Sequence, residues 1–160
     1  MMLGIPEHPT ELPGCGYPSY TDLFVLAKCS DGLIIMAVEG KVRETFGEIV
    51  EQWLHKDEYE ANRLKRLRGL CDILELEVDD VMDLRYQLLH RTAAALIEAE
   101  RFSASIAIML VHSFSPEQEG LGEPTGIRRG NGRLRRNWPT CGRAYAVRSP
   151  LAAGVAYQPG

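Results

Sequence analysis

An α/β fold built on one mixed sheet is the class this chain predicts, and three patterns predict it. Two apolar runs flank a Ser30-Asp31-Gly32 turn, a long amphipathic segment lies downstream, and a continuous apolar run follows that segment directly. A helix that feeds a buried strand interleaves the two element types in one layered unit instead of segregating them. The 160 residues, 45% apolar and 25% charged, suit one globular domain with a real core.

Taken in order, residues 1–16 are short of periodicity and rich in Gly and Pro, so an irregular N-terminal segment is expected. The run Thr21-Asp22-Leu23-Phe24-Val25-Leu26-Ala27-Lys28-Cys29 and the run Leu33-Ile34-Ile35-Met36-Ala37-Val38 read as a hairpin. Thr45-Phe46-Gly47 marks a turn before a short helix over 48–54. A second helix is expected from Tyr59 to about Leu74, with Leu64, Leu67, Leu70, Cys71 and Leu74 at helical spacing. Its other face carries Arg63, Lys65, Arg66 and Arg68, a pattern that most often means a solvated face and less often a phosphate-facing one. Asp79 or Asp80 should cap a long helix over 81–102, whose Ala93, Ala94 and Ala95 permit close approach to a sheet. Ser105 to Phe114 then reads as a central strand buried on both faces.

Residues 117–160 break the pattern. Residues 121–160 hold seven Arg, no Lys and a single acid, Glu123, a charge of +6 against −10 for the first 120 residues. Seven Gly and four Pro leave little apolar surface to offset the entropy of ordering. Three readings stay open for this tail: a disordered extension, an Arg-rich arm contacting phosphate, and sequence that is not native coding sequence.

Composition also excludes classes. The net charge of −4 is not that of an electrostatic nucleic-acid binder as a whole. No run is long enough to span a bilayer and the first residues lack a signal peptide's pattern, so a cytoplasmic location without membrane association is expected. Cys15, Cys29, Cys71 and Cys141 form no close pair for zinc or redox chemistry and read as reduced, mostly buried thiols. Neither a nucleophile elbow nor a phosphate-binding or dinucleotide Gly loop occurs, and Trp53 and Trp138 suggest no stacking platform.

The chemistry-bearing pattern sits on the hairpin. Asp22 lies in the first run, and the second leads straight into Glu39-Gly40-Lys41. Glu39 and Lys41, two apart on a strand, share a face, while Gly40 points the other way. Asp22 and Glu39 can hold a hard divalent ion, with the Val38 or Gly40 carbonyl as a further ligand, and Lys41 can orient water or stabilise a phosphoryl oxygen. Glu-x-Lys alone equally describes the exposed end of an edge strand. Here the triplet ends six apolar residues, and an acid stands in the preceding strand.

Those residues, Pro18-Ser19-Tyr20-Thr21-Asp22 with Val38-Glu39-Gly40-Lys41, resemble the PD-(D/E)XK nuclease superfamily, whose pattern is an Asp at one strand's start, Glu/Asp-x-Lys in the next, then a helix and a further strand. The stretches 38–47, 87–92 and 109–114 are similar to a bacterial branch of that superfamily. The resemblance covers about 17–115. It implies a restriction-endonuclease-like core over 17–116, a mixed sheet flanked by helices. It also implies catalytic Asp22, Glu39, Lys41 and Gln87, Mg2+ or Mn2+ on Asp22 and Glu39, and hydrolysis of nucleic acid, DNA foremost. Gln87 is carried over from branches with a glutamine on the following helix, and Arg91, one turn on, can reach a phosphate. The residues before Asp22 are too few, and too rich in Gly and Pro, to supply the superfamily's first helix and first strand. A core lacking both is therefore expected. A catalytically inactive protein that retains the fold for binding is the alternative.

Overall fold

The computed structural model describes residues 2–30, 32–42, 44–114, 129–130, 133–134 and 143–148. A five-stranded sheet runs in the order β1-β2-β3-β4-β7. Strand β1 (Met2–Thr10) pairs antiparallel with β2 (Ser19–Cys29), which pairs antiparallel with β3 (Gly32–Lys41) across the predicted hairpin. Helices α1 (Val50–Leu54), α2 (Glu60–Leu74) and α3 (Tyr86–Arg101) follow, and β4 (Ile106–Ser113) returns parallel to β3. The strands β5 (Arg129–Gly130) and β6 (Arg133–Leu134) pair with each other, and β7 (Arg143–Arg148) lies antiparallel to β4. The sheet is mixed and the fold is α/β, as the order of patterns predicts.

The hairpin forms because its apolar residues alternate into one core. On β3, Ile35, Ala37, Glu39 and Lys41 are buried in turn, which directs all four toward α3. Phe24, opposite Ala37, joins Ile35, Ala95, Ala99, Ala104 and Ala107 in the cluster between the sheet and α3. Ala93 and Ala94 turn the other way and pack with Leu67 and Leu70 of α2. The alanine run thus serves two interfaces of one helix, since methyl groups let both the sheet and a second helix approach closely.

Several expectations are corrected. Residues 2–10 form a strand rather than an irregular segment, so a strand does precede the one that carries Asp22. Pro6 and Pro9 disguise it, yet β1 is an edge, where one row of backbone donors has no ladder partner to miss. The long helix begins at Tyr86, not near Val81. Residues Val78–Val81 form a 3-10 turn, and the chain beyond them is pinned: the Val50 amide donates to Leu84 O, the Glu51 amide to Met82 O, and the Tyr86 amide to Glu48 O. These bonds satisfy the first amides of α1 and hold Arg85 extended, so neither Asp79 nor Asp80 caps α3. Strand β4 buries Ala107, Met109 and Val111, whereas Ile106, Ile108 and Leu110 on its other face are only half-buried. Cys15 is exposed and Cys29 half-buried, leaving Cys71 as the buried free thiol among the described residues; burial pushes it up to about 11. Within the tail expected to lack order, β7 extends the sheet; the remainder of that expectation lies outside the described residues. No described helix is long and apolar enough to cross a membrane.

Candidate active site

The site gathers at the end of β3, where an apolar strand gives way to charge. Glu39 is 3% exposed and Lys41 7%. A carboxylate so far from water needs donors, and it has three. Lys41 Nζ donates to Oε1 at 2.8 Å, Gln87 Nε2 donates to the same oxygen at 2.6 Å, and Arg91 Nε donates to Oε2 at 2.9 Å. Gln87 and Arg91 stand one turn apart on α3, so a single helix face delivers both. Lys41 also lies 5.3 Å from the centroid of the Phe46 ring.

Asp22 reaches the site by another route. The β1–β2 ladder skips the Glu7–Asp22 pair, Glu7 takes φ +50°, and the β2–β3 ladder begins one residue later at Leu23–Val38. Freed from regular pairing, the carboxylate turns onto the backbone between the two other motif residues: the Gly40 amide donates to Oδ2 at 2.8 Å. Among the described residues, no hydrogen bond or ion pair joins Asp22 directly to Glu39, Lys41 or Gln87, and Oδ1 has no protein donor. The structure thus brings Glu39, Lys41 and Gln87 into direct contact and ties Asp22 to them through Gly40.

A second layer supports the first. Arg91 Nη1 donates to Ser19 Oγ at 2.8 Å, and Ser19 Oγ lies 3.1 Å from His90 Nδ1. Burial, reinforced by the neighbouring guanidiniums of Arg91 and Arg66, pushes His90 down to about 3. The imidazole is therefore neutral at ordinary pH, and its Nδ1 is hydrogen-bonded to the Ser19 hydroxyl. The series Glu39, Arg91, Ser19, His90 is one hydrogen-bonded network. Ser19 and His90 lie within the motif stretches 18–22 and 87–92, but neither is among the site residues expected from the sequence. Nearby, Glu44 accepts from the Val42 amide and Glu48 pairs with Lys56. His112 is exposed and stacks on Phe114.

Next to this network lies a cleft of about 570 Å3 that sequence reasoning missed. Ser19 and His90 form its inner wall, and Tyr17, Trp53, Tyr59, Arg63, Arg66 and Tyr86 are among its other lining residues. Trp53, read as giving no stacking platform, stacks on Tyr86 with centroids 3.6 Å apart. Arg66, expected on a solvated face, is buried: Gly14 and Gly16, at φ +81° and +125°, lay the 14–17 loop so closely on it that a Cβ at either would meet it at 3.0 or 2.9 Å.

Residues 1–128 match the family described as Domain of unknown function (DUF6946). No curated protein and no solved structure matches the chain. With 128 of its 160 residues matched, the chain belongs to the DUF6946 family.

Proposed function

We propose that this protein is a metal-dependent nuclease with a restriction-endonuclease-like core, hydrolysing phosphodiester bonds of nucleic acid, DNA foremost. The observation that carries the reading is the convergence of Lys41 and Gln87 on Glu39 Oε1, with Asp22 docked on the intervening Gly40 amide. The element order supports it: Asp on one strand, Glu-x-Lys on the next, then a helix bearing Gln87 and a further strand, as the resemblance implies.

The donor set fits Mg2+ or Mn2+. Both groups are carboxylates, the hard oxygen ligands such ions prefer. Among the described residues Asp22 Oδ1 has no protein donor, and of the roughly four lone-pair sites on a carboxylate, three on Glu39 are taken, leaving one on Oε2. An ion bound by these two residues supplies Lewis acidity to an attacking water and a leaving oxygen. The chain's own residues do the rest. Gln87 and Arg91 fix the Glu39 carboxylate, and Lys41 presents an ammonium where a phosphoryl oxygen gains charge. At the inner site Lys41 and Arg91 offset the charges of Glu39 and Asp22.

A second reading, an inactive protein that binds through the same fold, is favoured by one observation: Glu39 is already held by three protein donors. Incubating the protein with DNA and Mg2+, alongside Lys41→Ala, separates the two. Cleavage that falls by about a hundredfold or more in Lys41→Ala supports the nuclease reading. Equal cleavage by both proteins removes the mechanism, and no cleavage of DNA or RNA with either ion leaves the binding reading.

A further inference from the structure

We infer that the cleft beside the site binds an unpaired nucleotide next to the scissile phosphate, with Tyr17 and Tyr59 taking the base and Arg66 and Arg63 taking phosphate. This rests on the proposed nuclease function, since it assigns the neighbouring stretch of the same substrate.

Three observations lead to that ligand. The first is charge: two guanidiniums line the cleft, and none of its lining residues is an acid. Arg63 is partly neutralised from outside, donating to Asp57 Oδ2 and Trp53 O at 2.6 Å each. Arg66 has no carboxylate partner among the described residues. Its Nη1 donates to Tyr17 O at 2.9 Å, its guanidinium lies against the Tyr86 phenol, and its buried Nε has no acceptor. A cation 8% exposed without a counter-charge is costly unless an anion completes the site.

The second is the aromatic content. Trp53 and Tyr86 are stacked on each other, with Arg63 5.6 Å from the Trp53 ring centroid, and together they make a rigid wall. Tyr17 and Tyr59 at the rim are 87% and 58% exposed, large apolar rings presented to solvent. Planar rings beside guanidiniums suit bases and phosphates together, and such stacking is largely indifferent to base identity.

The third is placement and size. Ser19 and His90 belong both to the cleft wall and to the network that ends on Glu39, so the cleft lies one hydrogen-bonded layer from that carboxylate. At about 570 Å3 the cleft is within the range of small-molecule sites, roughly 300–1,000 Å3. That admits an unpaired nucleotide, whose ring faces are available for stacking, and not a duplex.

The test is fluorescence anisotropy of a labelled oligothymidylate with the full chain in EDTA, where cleavage does not interfere. Arg66 anchors the 14–17 loop, so its substitution tests folding as well as binding. Tyr59→Ala and Arg63→Met, nearer the surface, test binding, with folding checked by circular dichroism. Each should weaken binding at least roughly fivefold, while Lys65→Met, the same charge change on the exposed side of α2, should not. Thymidine monophosphate should compete better than inorganic phosphate, and a single strand better than its duplex. No binding by the wild type, unchanged binding in both cleft variants, an equal loss in Lys65→Met, or preference for phosphate or duplex would each overturn the assignment. Failure of the two readings is distinguishable: a protein that binds in EDTA but never cleaves with Mg2+ loses only the nuclease function. One that cleaves with both cleft variants binding as wild type loses only the cleft.

Discussion

Replacing Glu39 by Gln tests whether this carboxylate is the hub of its network. The substitution keeps the volume and one acceptor but removes the negative charge, leaving an ammonium and a guanidinium facing each other out of water. The Lys41 and Arg91 side chains are 8% and 11% exposed, so solvent screens them poorly. Removing one partner of a buried pair typically costs about 3–5 kcal/mol, because the remaining charge is uncompensated. Glu39→Gln should therefore lose about 3 kcal/mol or more, a large part of the roughly 5–15 kcal/mol that holds a domain together. Lys41→Met leaves Glu39 with Arg91 and Gln87 and should cost less, about 1.5–3 kcal/mol for one charged hydrogen bond. The double variant should fall short of the sum by about 1–3 kcal/mol, since the two residues share one bond. Urea denaturation followed by circular dichroism in metal-free buffer reads all three, and with a slope of about 1–3 kcal/mol per molar the midpoint should drop by about 1–3 M in Glu39→Gln. A Glu39→Gln protein as stable as the wild type, or more so, would refute the reasoning. It would mean that the three donors do not converge on this carboxylate.

Two further outcomes are expected. His90 ionises near 6.5 in an unfolded chain and is pushed down to about 3 in the fold. The unfolded state therefore takes up a proton that the folded state resists, and stability falls as pH drops from about 6.5 toward 3, by up to about 1.4 kcal/mol per pH unit; urea midpoints at pH 7, 6 and 5 should show this slope flattened in His90→Asn, and an identical slope would count against it. Gly14→Ala should destabilise by about 1–3 kcal/mol, because φ is +81° and the new methyl meets the Arg66 backbone at 3.0 Å. Gly40→Ala, whose methyl would find Asp22 and Phe114 at 3.5 Å, should be close to neutral, and equal thermal midpoints for the two variants would contradict the packing described here.

The hairpin, α2, the later part of α3 and β4 are all legible in the chain, the helices through three- and four-residue apolar spacing and the strands through short apolar runs bounded by a turn or a preceding helix. The placement of Glu39 and Lys41 on one face follows from the same two-residue period, and burial on the α3 side bears it out. Strand β1 was hidden because edge strands tolerate proline, and the start of α3 because backbone bonds from residues 48–51 hold 82–86 out of the helix. Such bonds depend on no side chain and leave no sequence mark.

Local pattern along the chain is enough for an α/β order and a run of charge at the end of a buried strand. Packing in three dimensions is what joins Arg91 to Lys41 and Gln87 on Glu39, turns Asp22 onto the Gly40 amide, and buries Arg66 beside a Trp53–Tyr86 stack. Periodicity reports which face of an element leaves water. Which charges from distant elements meet there depends on how α3, α2 and the glycine loop pack against the sheet, and local pattern holds no record of that.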